Sequence, residues 1–362
     1  MKMSQYLGKL HECAEKFPQT EIWMDSCGEE ELNYGLARGI SGATSNPVIV
    51  GAVVKKEIDL WEPKIQELIR KMPEATEDEI VWALIDEIGA LRSKKLLSIF
   101  RAYHGKRGRM SIQTNAKYYR SSEKILAQAV HINSLGENIQ VKIPASAAGI
   151  QAMEEATYRG ISINATVSFT VAQAVAVAEA VERGLKRRER EGLDISSMSP
   201  VCTLMIGRTD DWMKDYVSHA GMIINPECLE WAGIAVMKKA YGIYRERGYR
   251  TKLLSAANRN VYHWSELIGG DLAQTINYSW YTRLDRCDIE IRDQMDCPVA
   301  EEHLKQLEKI PEFRKVINED GLTPNEFEKC HGFCATISGF IAGYEDLCGL
   351  IRAYMAPQNW IE

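Results

Sequence analysis

The 362-residue chain is 45% hydrophobic and 26% charged, the balance of a soluble globular protein with room for one barrel-sized domain or two smaller ones. Its formal net charge of -6 argues against a general nucleic-acid surface, and basic runs such as Lys186 to Arg190 are broken by acids, as on a solvated helix. No apolar stretch approaches the roughly 20 residues that a spanning helix needs, and Met1 to Tyr6 carry no signal-peptide core, so the expected location is the cytoplasm.

Short apolar runs alternate with longer amphipathic ones along the chain, the pattern of parallel strands joined by helices. Eight strands are expected, at Glu21–Ser26, Gly39–Asn46, Arg109–Asn115, Ile139–Ala145, Ile161–Ser168, Pro200–Gly207, Lys252–Ala257 and Ala273–Ser279. Eight repeats point to an α/β fold of the (β/α)8 TIM-barrel type, and no Gly-x-Gly-x-x-Gly follows the first strand to favour an open dinucleotide-binding sheet.

Three regions exceed a minimal barrel. Lys55 to Tyr103 holds two helical patterns, Ile58–Lys71 and Glu77–Tyr103, separated around Pro73 and Thr76. A long helix is expected from Thr170 to Glu191. After about Asp293 the chain reads as C-terminal helices, with a helix start at Thr323 to Glu326 and an apolar, aromatic helix over Ile337–Met355 that packs over the barrel. No linker separates domains, so residues 1–362 read as a single barrel domain, with the barrel over about 20–292 and the helical extension over about 293–362.

Nine scattered cysteines fit reduced thiols better than disulfides. Cys330, His331 and Cys334 sit at helical spacing in an apolar segment without a second ligand pair, and are read as no metal site.

Barrels of this type carry their chemistry at the C-terminal ends of the strands. There the sequence places Asp25, Asn46, Gln113, Asn115, Lys142, Asn164, Thr166, Thr203, Arg208 and Arg259. Lys142 lies in the middle of Asn138-Ile-Gln-Val-Lys-Ile-Pro-Ala145, an otherwise apolar strand, where an ammonium group must be paired, deprotonated or used. An ordinary lysine, with a pKa near 10.4, is protonated at neutral pH and cannot attack a carbonyl. Burial or a nearby cation frees the amine, which makes Lys142 a candidate Schiff-base nucleophile and Asp25 the candidate partner that moves a proton.

These residues carry a family resemblance. Trp23-Met-Asp25-Ser26, Gly42-Ala-Thr-Ser-Asn-Pro47, Val141-Lys142-Ile-Pro144 with Ala148-Gly149-Ile150, and Ile163-Asn164-Ala-Thr166 with Phe169 and Ala172-Gln173-Ala174 resemble the transaldolase family in order. So do Ile206-Gly207-Arg208 with Asp211-Trp212, and Ser255-Ala-Ala-Asn-Arg259-Asn260. The match runs from about residue 20 to 265.

The resemblance implies a class I (β/α)8 enzyme that transfers a dihydroxyacetone unit from a ketose phosphate to an aldose phosphate. It gives Lys142 the Schiff base and Asp25 the acid/base role, with Gln113 and Thr166 completing the catalytic set. Asn46, Asn164 and Thr203 hold substrate, and Arg208 and Arg259 bind the phosphate. No metal or organic cofactor is implied, and the expected partners are small sugar phosphates, with neither nucleic acid nor membrane; a homo-oligomer stays open.

The chain departs from that pattern at four positions. Ser111-Ile-Gln113-Thr-Asn115 has glutamine where transaldolases carry glutamate, a feature shared with fructose-6-phosphate aldolases, yet Met205 stands where those aldolases carry tyrosine. Thr203 replaces a serine, and Ala257 stands where a phosphate-contacting serine is usual. Three further readings therefore stay open: an aldolase releasing dihydroxyacetone, a transaldolase for another anionic sugar such as a sulfonate, and a sugar-phosphate-binding protein without turnover. His104, His131 and His263 are expected to cap helices or face solvent, and Trp264 and Trp280 to pack at the barrel ends.

Overall fold

The computed structural model describes residues 6–356. Residues 1–5, which bear on the signal-peptide reading, and residues 357–362 of the C-terminal extension lie outside it. Eight parallel strands close in sequence order: β1 (Thr20–Met24), β2 (Gly42–Thr44), β3 (Arg109–Gln113), β4 (Ile139–Pro144), β5 (Ile163–Ser168), β6 (Val201–Leu204), β7 (Lys252–Ser255) and β8 (Leu272–Ile276). Helices fill the crossovers, so the fold is a (β/α)8 TIM barrel with additional helices, including a long C-terminal one. All eight expected strands are present.

Several strands end earlier than their apolar runs, because polar residues there start helices. Pro200–Gly207 gives only Val201–Leu204, since Ile206 already belongs to the helix Ile206–His219. Ala273–Ser279 stops at Ile276 because Asn277 caps the next helix, its Oδ1 accepting the Trp280 N–H at 3.0 Å. The expected helix Glu77–Tyr103 breaks after Ser93 into a 3-10 turn, Lys94–Leu96, and the helix Leu97–Ala102. The buried Asn138 amide donates to the Ser93 carbonyl at 2.8 Å, giving that carbonyl a partner outside the helix.

The first helical pattern, Ile58–Lys71, matches its helix end to end, and the long helix spans Val171–Arg190 with Thr170 as its cap. The Thr323 start opens a 3-10 turn, Pro324–Lys329, with a capping box between Thr323 and Glu326. The last helix begins earlier than expected and runs from His331 to Met355. Gly332 rests on the Phe169 ring and Gly343 on Val48, at the ends of β5 and β2, so this helix lies along the barrel rim. Its outer face is tied to the helix Glu77–Ser93 by ion pairing of Arg352 with Glu77 and by Tyr344 Oη donating to Asp78 at 2.6 Å.

Alternation along the strands turns one set of side chains outward to the helices and the other inward. Inside, Trp23, Val201, Leu254, Ala256 and Ala273 form an apolar plug. Gly42 is required beside it, since a Cβ there would lie 2.6 Å from the Trp23 indole. Below the plug, the buried Glu21 carboxylate accepts from Trp23 Nε1 (3.0 Å), Ser41 Oγ (2.8 Å) and Lys252 Nζ (2.8 Å), with Arg107 Nε at 3.6 Å. Above it begins the polar layer that faces the mouth. No described helix is long and apolar enough to cross a membrane, and all nine cysteines remain free thiols.

Candidate active site

The polar layer is built from residues one step above the plug. Lys142 on β4 pairs in register with Gln113 on β3 and Asn164 on β5, which puts these three inward side chains in one row. Lys142 is 3% exposed, and its Nζ donates to the Ser45 carbonyl at 3.3 Å. Burial lowers its pKa, the Asp25 carboxylate opposes that, and the Arg208 guanidinium adds to the lowering; the net direction is down.

Asp25 follows the last residue of β1, its N–H held by the Ile276 carbonyl at 3.0 Å. The Thr44 hydroxyl donates to Asp25 Oδ1 at 2.6 Å, and because that uses its only proton, Thr275 donates in turn to Thr44 at 2.6 Å. One carboxylate oxygen is thus fixed by a two-hydroxyl relay, on the side of the barrel to which the lysine reaches.

Asn164 is oriented by a second chain. Thr203 donates to its Oδ1 at 2.7 Å, its Nδ2 donates to Ser111 Oγ at 3.1 Å, and Ser111 donates to Gln140 at 2.9 Å. Thr203 is therefore spent on aiming Asn164. Asn46 caps the helix Pro47–Lys56, accepting from the Ile49 N–H at 3.0 Å, and no described residue takes its amide protons. Asn115, also named from the sequence, caps a 3-10 turn by accepting from the Lys117 N–H.

Gln113 Oε1, Thr166 Oγ1 and Arg208 Nε are buried without a hydrogen-bond partner among the described residues. Leaving such a group unpaired costs about 1–3 kcal/mol, which a bound ligand or water recovers. Thr166 is aimed by a distortion of β5. The register with β6 shifts between Ala165 and Ser168, and Val167 sits at φ 53, a conformation that β-branched residues resist. Gln173 pins that bulge, donating to the Val167 and Ala145 carbonyls at 3.1 Å each and accepting from the Phe169 N–H at 3.0 Å.

The two arginines rise on neighbouring segments after β6 and β7. Arg208 lies in the first turn of the helix Ile206–His219, and burial and the nearby Arg259 both lower its pKa. Arg259 is exposed, and its guanidinium grips Asp211 with Nε at 2.9 Å and Nη2 at 2.8 Å from Oδ2. The segments touch closely: a Cβ on Gly207 would lie 1.8 Å from the Ala257 carbonyl oxygen, so glycine is needed there. Ala257 itself is held at φ 66, and its carbonyl accepts from Arg259 Nη1 at 3.2 Å.

One residue was misread from sequence. His263 neither caps a helix nor faces solvent; it is fully buried against Asp210, with Nε2 2.7 Å from Oδ2. The available signal was its spacing, four residues beyond Arg259 and matched by Asp210 two beyond Arg208. His104 is exposed in a turn and His131 pairs with Asp86 at 2.6 Å. Trp264 is buried and Trp280 half-buried. In the Cys330 region, Cys330 and Cys334 donate to the Phe327 and Glu328 carbonyls, and His331 pairs with Asp215 at 3.3 Å.

A family match joins this (β/α)8 barrel with its buried lysine, relayed carboxylate and two arginines at the mouth. Residues 22–329 match the Transaldolase/Fructose-6-phosphate aldolase family, and the chain belongs to that family. A protein named transaldolase from Mycobacterium leprae (strain Br4923) is 26% identical over 251 residues, covering 66% of this chain and 66% of its own. One from Prochlorococcus marinus subsp. pastoris is 28% identical over 264 residues (70% and 71%), and one from Thermobifida fusca (strain YX) 27% over 243 residues (62% of each). The chain thus spans just under two thirds of the Mycobacterium relative it matches.

Proposed function

We propose that this chain is a transaldolase that moves a dihydroxyacetone unit from a ketose phosphate to an aldose phosphate through a Schiff base on Lys142. The observation that carries this reading is the buried Lys142, its pKa lowered, on a row with Gln113 and Asn164 and under the field of Asp25 and Arg208.

The neutral amine adds to the ketose carbonyl, Asp25 in its protonated form gives its proton to the carbinolamine hydroxyl, and loss of water leaves an iminium and an ionised Asp25. Asp25 takes the proton of the hydroxyl on the far carbon of the breaking bond, which becomes the aldehyde carbon, and the bonding pair passes into the iminium to leave an enamine on Lys142. The aldose phosphate departs, a second aldehyde enters, and the steps reverse with Asp25 returning the proton. Asn164 and Asn46 offer amide hydrogens to the hydroxyls of the three-carbon unit. Gln113 Oε1 and Thr166 Oγ1, both unpaired and buried, hold the water that is lost and regained. Arg208 presents its guanidinium to the terminal anion, and Arg259, whose Nε and Nη2 otherwise hold Asp211, turns its fork to the anion when it binds.

A second reading, release of free dihydroxyacetone, is favoured by Gln113, because an amide positions water but accepts no proton from it. The terminal anion is a phosphate or, with Ala257 in the clamp, a sulfonate. On either reading the partners are small anionic sugars, the chain works as one barrel, and the setting is the cytoplasm.

Borohydride reduction with fructose 6-phosphate, followed by intact mass, tests the proposal. A dihydroxyacetone adduct on the wild type that disappears in Lys142→Ala is expected. Absence of any adduct across a ketose panel from folded protein would falsify the lysine chemistry. Consumption of fructose 6-phosphate only when an aldose phosphate is supplied marks transfer, and consumption without it marks the aldolase.

A further inference from the structure

We propose that the buried Asp210–His263 pair is the positioning element of the anion clamp, tying the segment that carries Arg208 to the segment that carries Arg259 and so setting selectivity for sugars with a terminal anion. This rests on the reading of the two arginines given above.

Both nitrogens of the imidazole are committed. Nδ1 accepts the Arg259 backbone N–H at 3.0 Å, which requires the proton on Nε2, and Nε2 donates to Asp210 Oδ2 at 2.7 Å. The other Asp210 oxygen accepts the Gly233 N–H at 2.8 Å, so the carboxylate is itself fixed by the helix Ala232–Arg247. Asp210 stands between Arg208 and Asp211 on one segment, and His263 stands four residues after Arg259 on the other. Neither side chain is exposed, and neither reaches substrate.

Burying the Asp210 carboxylate against a neutral imidazole carries a desolvation cost, so the pair is better explained by the geometry it fixes than by stability. The geometry here needs support. Ala257 is held in the left-handed region two residues before Arg259, and the Arg259 side chain has solvent on one side. A satellite set reinforces the same joint: Asn260 accepts the His263 N–H at 3.1 Å and donates to Glu230 at 2.7 Å, and Glu230 pairs with Lys214 of the helix Ile206–His219. Releasing the Arg259 N–H from His263 frees the segment to move the guanidinium away from Arg208 while leaving the lysine side of the barrel untouched.

The test compares His263→Ala, which removes the acceptor, with His263→Asn, whose Oδ1 replaces Nδ1. Lys142 loading is followed by borohydride trapping at increasing fructose 6-phosphate and, separately, fructose, and inorganic phosphate is titrated onto each variant by calorimetry. In His263→Ala the half-saturating fructose 6-phosphate rises about tenfold and phosphate binds about tenfold more weakly, the scale of one misplaced charge-assisted contact. Fructose loading stays within about threefold, and His263→Asn restores most of the loss. Equal weakening for both sugars, or unchanged phosphate affinity, overturns the proposal. If the wild type traps neither sugar, the lysine chemistry has failed and the phosphate titration alone decides the clamp by the same criterion. Should His263→Ala not fold, Asp210→Asn, which keeps size, takes its place with the same expected split.

Discussion

The barrel interior holds two buried polar layers on opposite sides of the Trp23 plug, and they are finished differently. In the lower layer every Glu21 oxygen is engaged, by Trp23, Ser41, Lys252 and Arg107, and burial of Lys252 is outweighed by Glu21 and Asp271 so that its ammonium is held above the ordinary lysine range. In the upper layer Gln113, Thr166 and Arg208 each keep a buried atom without a partner among the described residues, and Lys142 is driven the other way, toward the neutral amine. The same residue type thus has opposite protonation behaviour in one barrel, and the difference is the completeness of its partners. A closed layer contributes stability, whereas an open one stores hydrogen-bonding capacity for something that binds.

Three substitutions press on that contrast. Lys142→Ala should lower turnover by at least about 10³-fold, the scale on which losing a nucleophile acts, with little change in urea midpoint. Gln113→Ala should cost about 10-fold to 100-fold in turnover through loss of water placement and leave stability equal or slightly higher, since an unpaired buried oxygen disappears. A marked loss of stability there would mean that the upper layer is as structural as the lower. Glu21→Gln should do the reverse, costing roughly 1–2 kcal/mol in urea unfolding by taking the buried anion from Arg107 and Lys252, with Asp271 still paired to Lys252, while activity per folded molecule holds.

The smallest expected effects are shifts in pH dependence. Arg208→Met removes a cation and should move the pH profile of Lys142 labelling by cyanate upward; Asp25→Asn removes an anion and should move it downward. No movement in either variant would show that burial alone controls the amine. The linkage sign follows: the folded pKa of Lys142 lies below the unfolded value near 10.4, so between them the unfolded chain holds more protons and stability rises with pH. The cost of its burial is fully present below the folded pKa and is gone above the unfolded one.

Strand positions and the inward residues were legible because short apolar runs between helical patterns, and polar residues at strand ends, are local signals. What escaped the sequence depended on contacts between distant segments. The break at Ser93 is matched by Asn138, 45 residues away, which takes the Ser93 carbonyl, and the bulge at Val167 is held by Gln173 reaching back to Ala145. His263 was misjudged for the same reason, since its partner Asp210 is 53 residues earlier and only the closed barrel brings them together. Lys142 and Asp25 were readable because an ionisable residue in an apolar strand, or at a strand's end, is conspicuous by itself.

The Trp23 plug has a kinetic consequence. A barrel sealed beneath its reactive layer has a single doorway, so whatever enters must leave the same way. For the proposed transfer, the first product would have to vacate before the second substrate arrives, and both would present their anion to the same two arginines. Double-displacement kinetics follow, with parallel lines in double-reciprocal plots and mutual competition between the departing and arriving aldehydes. A reaction order imposed in this way belongs to the architecture, and changing the identity of the sugar leaves it in place.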